Sequence, residues 1–299
     1  MLDSCGVKPR ADVTIRPMSP RDAVDAAAAA HAALRQIYPE ELTPEEEAIR
    51  AAGGTARAAH LQQTDPGGCW VAEQEGQIVG TALGLIREGV WGFSLFGLLP
   101  AFQGRGIGTR LYAEALAYGA AEPGGIILSS SHPAAMRRYA RSPGYRLLPS
   151  VELSGTWDPR RVPTGLRCRP GDLTADRATI QAASRHVRGA SHARDLAVLL
   201  DRPGSVLLVI DDEGFACARD GSPALLAARS QAAAEDLLWG AITSGPRGGT
   251  VSFDFVTAEN QWAIGVGLEA GLALSPDGPV FVRGEVGPMA PYLPSGAYL

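Results

Sequence analysis

The feature that most limits what this chain can fold into is that its second half repeats the first in outline. Thr14-Ile15-Arg16-Pro17 is echoed by Leu166-Arg167-Cys168-Arg169-Pro170, and the turn Gln74-Glu75-Gly76 by Asp212-Glu213-Gly214. Residues 224–228, 231–242, 251–256 and 260–270 then read strand, helix, strand, helix, in the order of the first half. Repetition on this scale constrains topology before any single element does. With 299 residues there is room for two cores. The expectation is an α/β chain of two related domains with mixed sheets, residues 12–154 and 166–299. Residues 155–165, rich in Pro, Gly and charge without periodicity, read as the linker.

Within the first half, Val13 to Arg16 is a short strand stopped by Pro17. Ser19, Pro20 and Asp22 suit a helix start. Val24, Ala27, His31, Leu34 and Tyr38 follow at helical spacing as an apolar stripe. Thr43-Pro44-Glu45-Glu46 opens a second helix that weakens at Gly53-Gly54. From Cys69 the period becomes two: 70–73 and 77–83 form a hairpin, and 90–99 a further strand in which Gly92 and Gly97 mark bulges or close approach. Helix 106–121, strand 125–131, helix 133–141 and strand 145–153 complete the order β-α-α-β-β-β-α-β-α-β.

Composition narrows the function classes. A net charge of -5, with no basic run interleaved with aromatics, argues against nucleic acid as a partner. No apolar window is long enough to span a bilayer, and the polar start broken by Pro9 is unlike a signal peptide, so a cytoplasmic, membrane-free protein is expected. Cys5, Cys69, Cys168 and Cys217 have neither CxxC nor Cys/His spacing, which predicts no metal site and no disulfide framework.

The chemical signal is Gln103-Gly104-Arg105-Gly106-Ile107-Gly108-Thr109, between an apolar strand and a helix. Glycines there let backbone amides turn toward a ligand, and the helix start adds unpaired N–H groups and a positive dipole end, an arrangement suited to a pyrophosphate. No Gly-Lys-Ser/Thr follows, so it is not a P-loop. Three hairpin-linked strands precede it, so it is not an early Rossmann turn.

The run from Leu95 to Gly108 resembles the acyl-CoA signature of the GCN5-related N-acetyltransferase (GNAT) superfamily, and Leu128 to Tyr139 with Gly144-Tyr145 resembles its second signature. The resemblance implies a tandem GNAT fold with a degenerate second copy. It implies acetyl-CoA as cosubstrate: Phe96, Gly97 and Leu98 pairing with the pantetheine arm, amides from Gln103 to Thr109 holding the pyrophosphate, and His132, Ala135 and Tyr139 also contacting the cofactor. Gly97 would help to splay the sheet. Tyr139 matches the tyrosine that protonates the departing thiolate, a role suited to a phenol still protonated at neutral pH. His132 stands where the family usually has Asn; it caps the next helix, touches CoA, or acts as a base.

For the proton on an acceptor amine the candidates are Glu73, Glu88, Ser94 through a water, His31, and the chain end after the apolar segment 291–299, which should dock. In the second half, Arg229-Ser230-Gln231 replaces the glycine loop and Gly267 the tyrosine. The resulting expectation is an N-acetyltransferase acting by direct attack of a primary amine, on a small molecule or a protein, as a monomer or homodimer. An acyl-CoA-binding sensor without turnover, and a nucleotide-binding domain without acyl chemistry, are the alternatives.

Overall fold

The computed structural model describes residues 12–37 and 42–299; Cys5 and Tyr38 lie outside the described residues. In chain order the elements are β1 (Thr14–Pro17), α1 (Ala23–Leu34), α2 (Pro44–Thr64), β2 (Cys69–Gln74), β3 (Gln77–Arg87), β4 (Val90–Leu98), α3 (Ile107–Tyr118), β5 (Gly124–Leu128), α4 (Pro133–Ala140), β6 (Tyr145–Leu148), β7 (Ser150–Thr156), β8 (Arg169–Pro170), α5 (Arg177–Arg188), α6 (Leu196–Leu200), β9 (Ser205–Ile210), β10 (Gly214–Arg219), β11 (Ser222–Ala228), α7 (Gln231–Thr243), β12 (Thr250–Thr257), α8 (Gln261–Ala270), β13 (Ala273–Pro276), β14 (Val280–Gly284) and β15 (Tyr292–Leu293). The expected order holds through β6. The single strand expected over 145–153 divides at Pro149 into β6 and β7, which enter different sheets.

Two compact units result. One combines the chain up to Leu83 with Leu95–Tyr118; the other combines Gly84–Ser94 with Gly119–Leu299. In the first, β1 pairs with β2 and β2 with β3, all antiparallel. Thr43 opens α2 with the expected reciprocal cap: its Oγ1 accepts from the Glu46 amide at 3.3 Å, and Glu46 Oε2 accepts from the Thr43 amide at 2.8 Å. The buried face of α1 is Ala23, Ala26, Ala27, Ala29, Ala30 and Ala33, not the expected stripe, and Val24 is 61% exposed. Alanines are required because the helix lies very close to β4: a Cβ added to Gly97 would sit 2.5 Å from the Ala30 Cα. For a similar reason α2 runs on through Gly53-Gly54, with Gly54 against Ala27.

The second unit contains strands in the order β4-β5-β14-β6, a five-stranded sheet β15-β11-β10-β9-β8, and a three-stranded sheet β12-β7-β13. The halves of the sequence have exchanged strands. β14, from the second half, lies antiparallel between β5 and β6 of the first; β7, from the first, lies antiparallel between β12 and β13 of the second. Gly155 and Thr156, expected in a linker, are the end of β7. Phe281 on β14 is fully buried, a contribution of roughly 1.5–3 kcal/mol for a side chain of this kind.

The turn between β3 and β4 belongs to this unit through charge. Arg87 donates to both Asp195 carboxylate oxygens at 2.8 and 2.6 Å, and both residues are buried. Glu88 accepts from Arg185 at 2.8 and 2.6 Å. The sequence repeat has a matching side-chain signature. Arg16 pairs with Asp22 and Glu73, while Arg169 pairs with Asp176 and Asp211.

Candidate functional site

At the end of β4 a short helical turn, Pro100–Phe102, leads into the glycine loop. The Gln103 side chain donates to the Leu98 carbonyl at 2.9 Å and ties the loop to the strand. The Arg105 guanidinium lies over the Phe102 ring, 5.5 Å from its centroid. Gly104 and Gly106 have φ of 73° and 78°, and a Cβ added to either would meet nothing within 4 Å. Their conformation calls for glycine, and the space beside them is open. Not every expected amide is available, since Gln103 N donates to Pro100 O and Thr109 N to Gly106 O, each at 3.1 Å. The expected anion contacts therefore contract to Gly104 through Gly108, where Ile107 and Gly108 occupy the first turn of α3 and have no helical carbonyl to bond.

Phe96, Gly97 and Leu98 end β4 in the same unit. The β4–β5 ladder is parallel and pairs Val90–Phe93 with Gly124–Ile127. β5 stops at Leu128 while β4 continues to Leu98, so the later residues of β4 have no β5 residue left to pair with. Gly97 admits the α1 backbone.

His132, Ala135 and Tyr139 fall in the second unit. His132 caps α4, its Nδ1 accepting from the Ala134 amide at 3.2 Å. With Nδ1 accepting that amide, Nε2 is the ring nitrogen left to meet another group. Half-buried Ala135 donates its amide to His132 O at 3.0 Å in the same turn. Tyr139 is buried edge-on between Phe93 at 5.9 Å and Phe281 at 5.8 Å. The exchanged strand β14 thus forms one wall for this ring.

Most of the expected bases have other duties. Glu73 accepts from Arg16 at 2.6 Å. The Arg185 guanidinium beside Glu88 holds that carboxyl below the usual range, and the Ser191 amide adds to the effect. Ser94 donates to the Ala297 carbonyl at 2.7 Å. His31 is half-buried on α1. The segment 291–299 docks as expected: β15 pairs with β11, Tyr292 and Tyr298 are buried, and the Leu299 main-chain oxygen accepts from Arg188 at 2.5 Å. Burial pushes the Cys69 and Cys217 thiols up to about 12, which makes them inert.

The register of β12 breaks between Phe253 and Val256. Phe253, Phe255 and Val256 cannot share one face at period two without a bulge, and a bulge re-aims its neighbours. Among the described residues no group of three or more His, Cys, Asp or Glu is arranged to hold a metal ion, and no helix is long and apolar enough to cross a membrane.

A strand that outruns its parallel neighbour is followed here by an open glycine loop at a helix start. Residues 30–145 match the model of the acetyltransferase (GNAT) family. No curated protein matches the sequence. Among solved structures, a candidate acetyltransferase from Pyrococcus horikoshii is similar over 100% of this chain and 99% of its own, at 17% identity and a TM-score of 0.76. A GCN5-related N-acetyltransferase from Sphaerobacter thermophilus matches over 91% of this chain and 95% of its own, at 15% identity and a TM-score of 0.54. One from Kribbella flavida covers 91% of this chain and 72% of its own, at 16% identity and a TM-score of 0.52. At these identities the likeness establishes the fold.

Proposed function

We propose that the chain transfers an acetyl group from acetyl-CoA to a primary amine, of a small molecule or a protein, by direct attack, with the working site in the half spanning 12–154. The half spanning 166–299 serves as a degenerate copy without a cofactor site. The observation that carries this reading is the loop: glycines at positive φ, open space where side chains would stand, and first-turn amides suited to a pyrophosphate. Acetyl-CoA enters as a substrate and fits that loop. It supplies an activated thioester carbonyl. Phe96, Gly97 and Leu98 would hold the pantetheine arm, Gly104 to Gly108 the pyrophosphate, and His132 Nε2 would donate to the cofactor beside Ala135.

Tyr139 would protonate the departing sulfur. The ring is held edge-on between Phe93 and Phe281, and an ordinary phenol is still protonated at neutral pH. A cytoplasmic setting follows from the substrate, an intracellular metabolite. Calorimetry with acetyl-CoA, followed by a thiol-release assay on a panel of primary amines, tests the reading. One site per chain with amine-dependent thiol release is expected; absence of binding refutes it.

A further inference from the structure

The ladder between β4 and β5 ends at the pair Phe93–Ile127, and the groups that surround this fork belong to one unit of the molecule. On one face the Phe93 ring meets the Tyr139 ring, with 5.9 Å between centroids. Successive strand side chains alternate in direction, so Ser94 points to the other face. There its hydroxyl donates to the Ala297 carbonyl at 2.7 Å. Two residues earlier, on the same face, Gly92 receives Leu299: a Cβ added to this glycine would stand 2.1 Å from Leu299 Cδ1. Segment 295–299 therefore lies along β4 and reaches the fork with a turn of small residues. Ser295 closes that turn, its Oγ accepting from the Ala297 and Tyr298 amides, each at 3.3 Å.

Gly296 makes a notch in the turn. It is exposed between buried Ser295 and buried Tyr298. A Cβ added to it would find no atom nearer than Phe255 Cε2, at 3.9 Å. Phe255 is an unusual neighbour. It stands within the register break of β12 at φ 55°, a strained conformation for an aromatic residue. The Asp277 carboxylate holds it there, accepting from the Phe255 amide at 3.0 Å. The ring packs on the apolar cluster beneath it but is partly buried, so part of an aromatic surface stays open beside the notch. Strain kept at the edge of an opening, next to apolar surface, is what a ligand-binding position looks like.

We propose that the acceptor is a primary amine with an arylalkyl body, which packs in the notch between Phe255 and Gly296 while its amino end reaches the fork beside Ser94. This rests on the acetyl-transfer reading above. A pantetheine arm that leaves the glycine loop and lies along Phe96–Leu98 points its acyl end down β4 toward Ser94. The amine then meets the thioester from the Ser94 face, and Tyr139 serves the sulfur from the Phe93 face. An aromatic body suits the notch because a ring laid against Phe255 gains apolar contact and orders few torsions. Gly296 is the specificity-determining position, since a side chain there occupies the space that the ring of the amine needs.

The test measures kcat/KM for acetylation of tyramine, putrescine and glycinamide. Calorimetry alongside gives Kd for acetyl-CoA, and for tyramine in the presence of CoA. Wild type should favour tyramine over glycinamide by about tenfold or more, the scale set by apolar contacts in a pocket. Gly296→Val should lower kcat/KM about tenfold more for tyramine than for glycinamide and weaken tyramine binding by a similar factor, with acetyl-CoA affinity that of wild type. Phe255→Gly, which removes the ring at a φ that suits glycine, should shift the ratio of the two amines in the same direction. No preference for tyramine in wild type, or equal losses for tyramine and glycinamide in either variant, overturns the assignment and leaves acetyl transfer standing. Acetyl-CoA binding by wild type without thiol release on any of the three amines overturns the acetyl-transfer reading itself, and this assignment with it.

Discussion

The glycine loop before α3 and the connection before α7 occupy matching places in the order of elements, and they differ in what the helix start offers a ligand. Before α3, Gly104 and Gly106 leave space and unclaimed amides. Before α7, Ser230 fills the helix start, its Oγ accepting from the Ala233 amide at 3.2 Å and donating to Glu213 at 2.8 Å. A carboxylate already stands where an anion would be wanted. The Arg–Asp clamp behaves oppositely, since both halves retain it: Arg16 with Asp22, and Arg169 with Asp176. The two halves agree in this clamp and differ at the helix start.

Several substitutions test this difference between the two helix starts. The largest effect is expected from Gly106→Asp. It places a β-carbon at φ 78° and a negative charge at the helix start, so acetyl-CoA affinity should fall more than about 100-fold by calorimetry with the melting curve still cooperative. Tyr139→Phe should lower kcat by roughly 10–100-fold with acetyl-CoA affinity unchanged, a split that stopped-flow and calorimetry together would resolve. If affinity drops instead, the ring is a packing element. Ser230→Ala should cost about 1 kcal/mol in denaturant unfolding and leave stoichiometry at one acetyl-CoA per chain. A second site opened by Glu213→Gln would mean that the connection before α7 is blocked, not lost.

The smallest effects concern the clamps. Hydrogen bonding from Arg16 holds the Asp22 carboxyl well below the usual carboxylate range, and Arg169 lowers Asp176 in the same way. A carboxyl depressed in the folded state stabilises above its unfolded value near 4, and that contribution is lost as pH falls toward the folded value. Asp22→Asn and Asp176→Asn should therefore each flatten the loss of stability below about pH 4 in thermal melts. Flattening in one variant alone would show that the two clamps no longer share a role.

Much of this was legible in the sequence because it is local. Helix starts at Ser19 and Thr43, the loop from Gln103 to Thr109 and the docking of 291–299 are each announced by residues within a turn of where they act. Partner choice is not local. β7 and β14 read as ordinary strands, and a period of two says that a strand exists without saying which strands flank it. The α1 stripe was misjudged because Val24 has the hydrophobicity for burial but the wrong size for a helix seated on Gly97.

The exchange of strands between the halves also sets a timetable. The slot between β5 and β6 is filled only when β14 arrives, well over a hundred residues after β6. At roughly 5–20 residues per second, the ribosome needs on the order of ten seconds to supply it. During that interval the nascent first half carries a sheet with a missing plank, and the Tyr139 ring lacks the Phe281 wall. Closure of this sheet, and of the wall around Tyr139, is therefore a late event of synthesis, completed by both halves together.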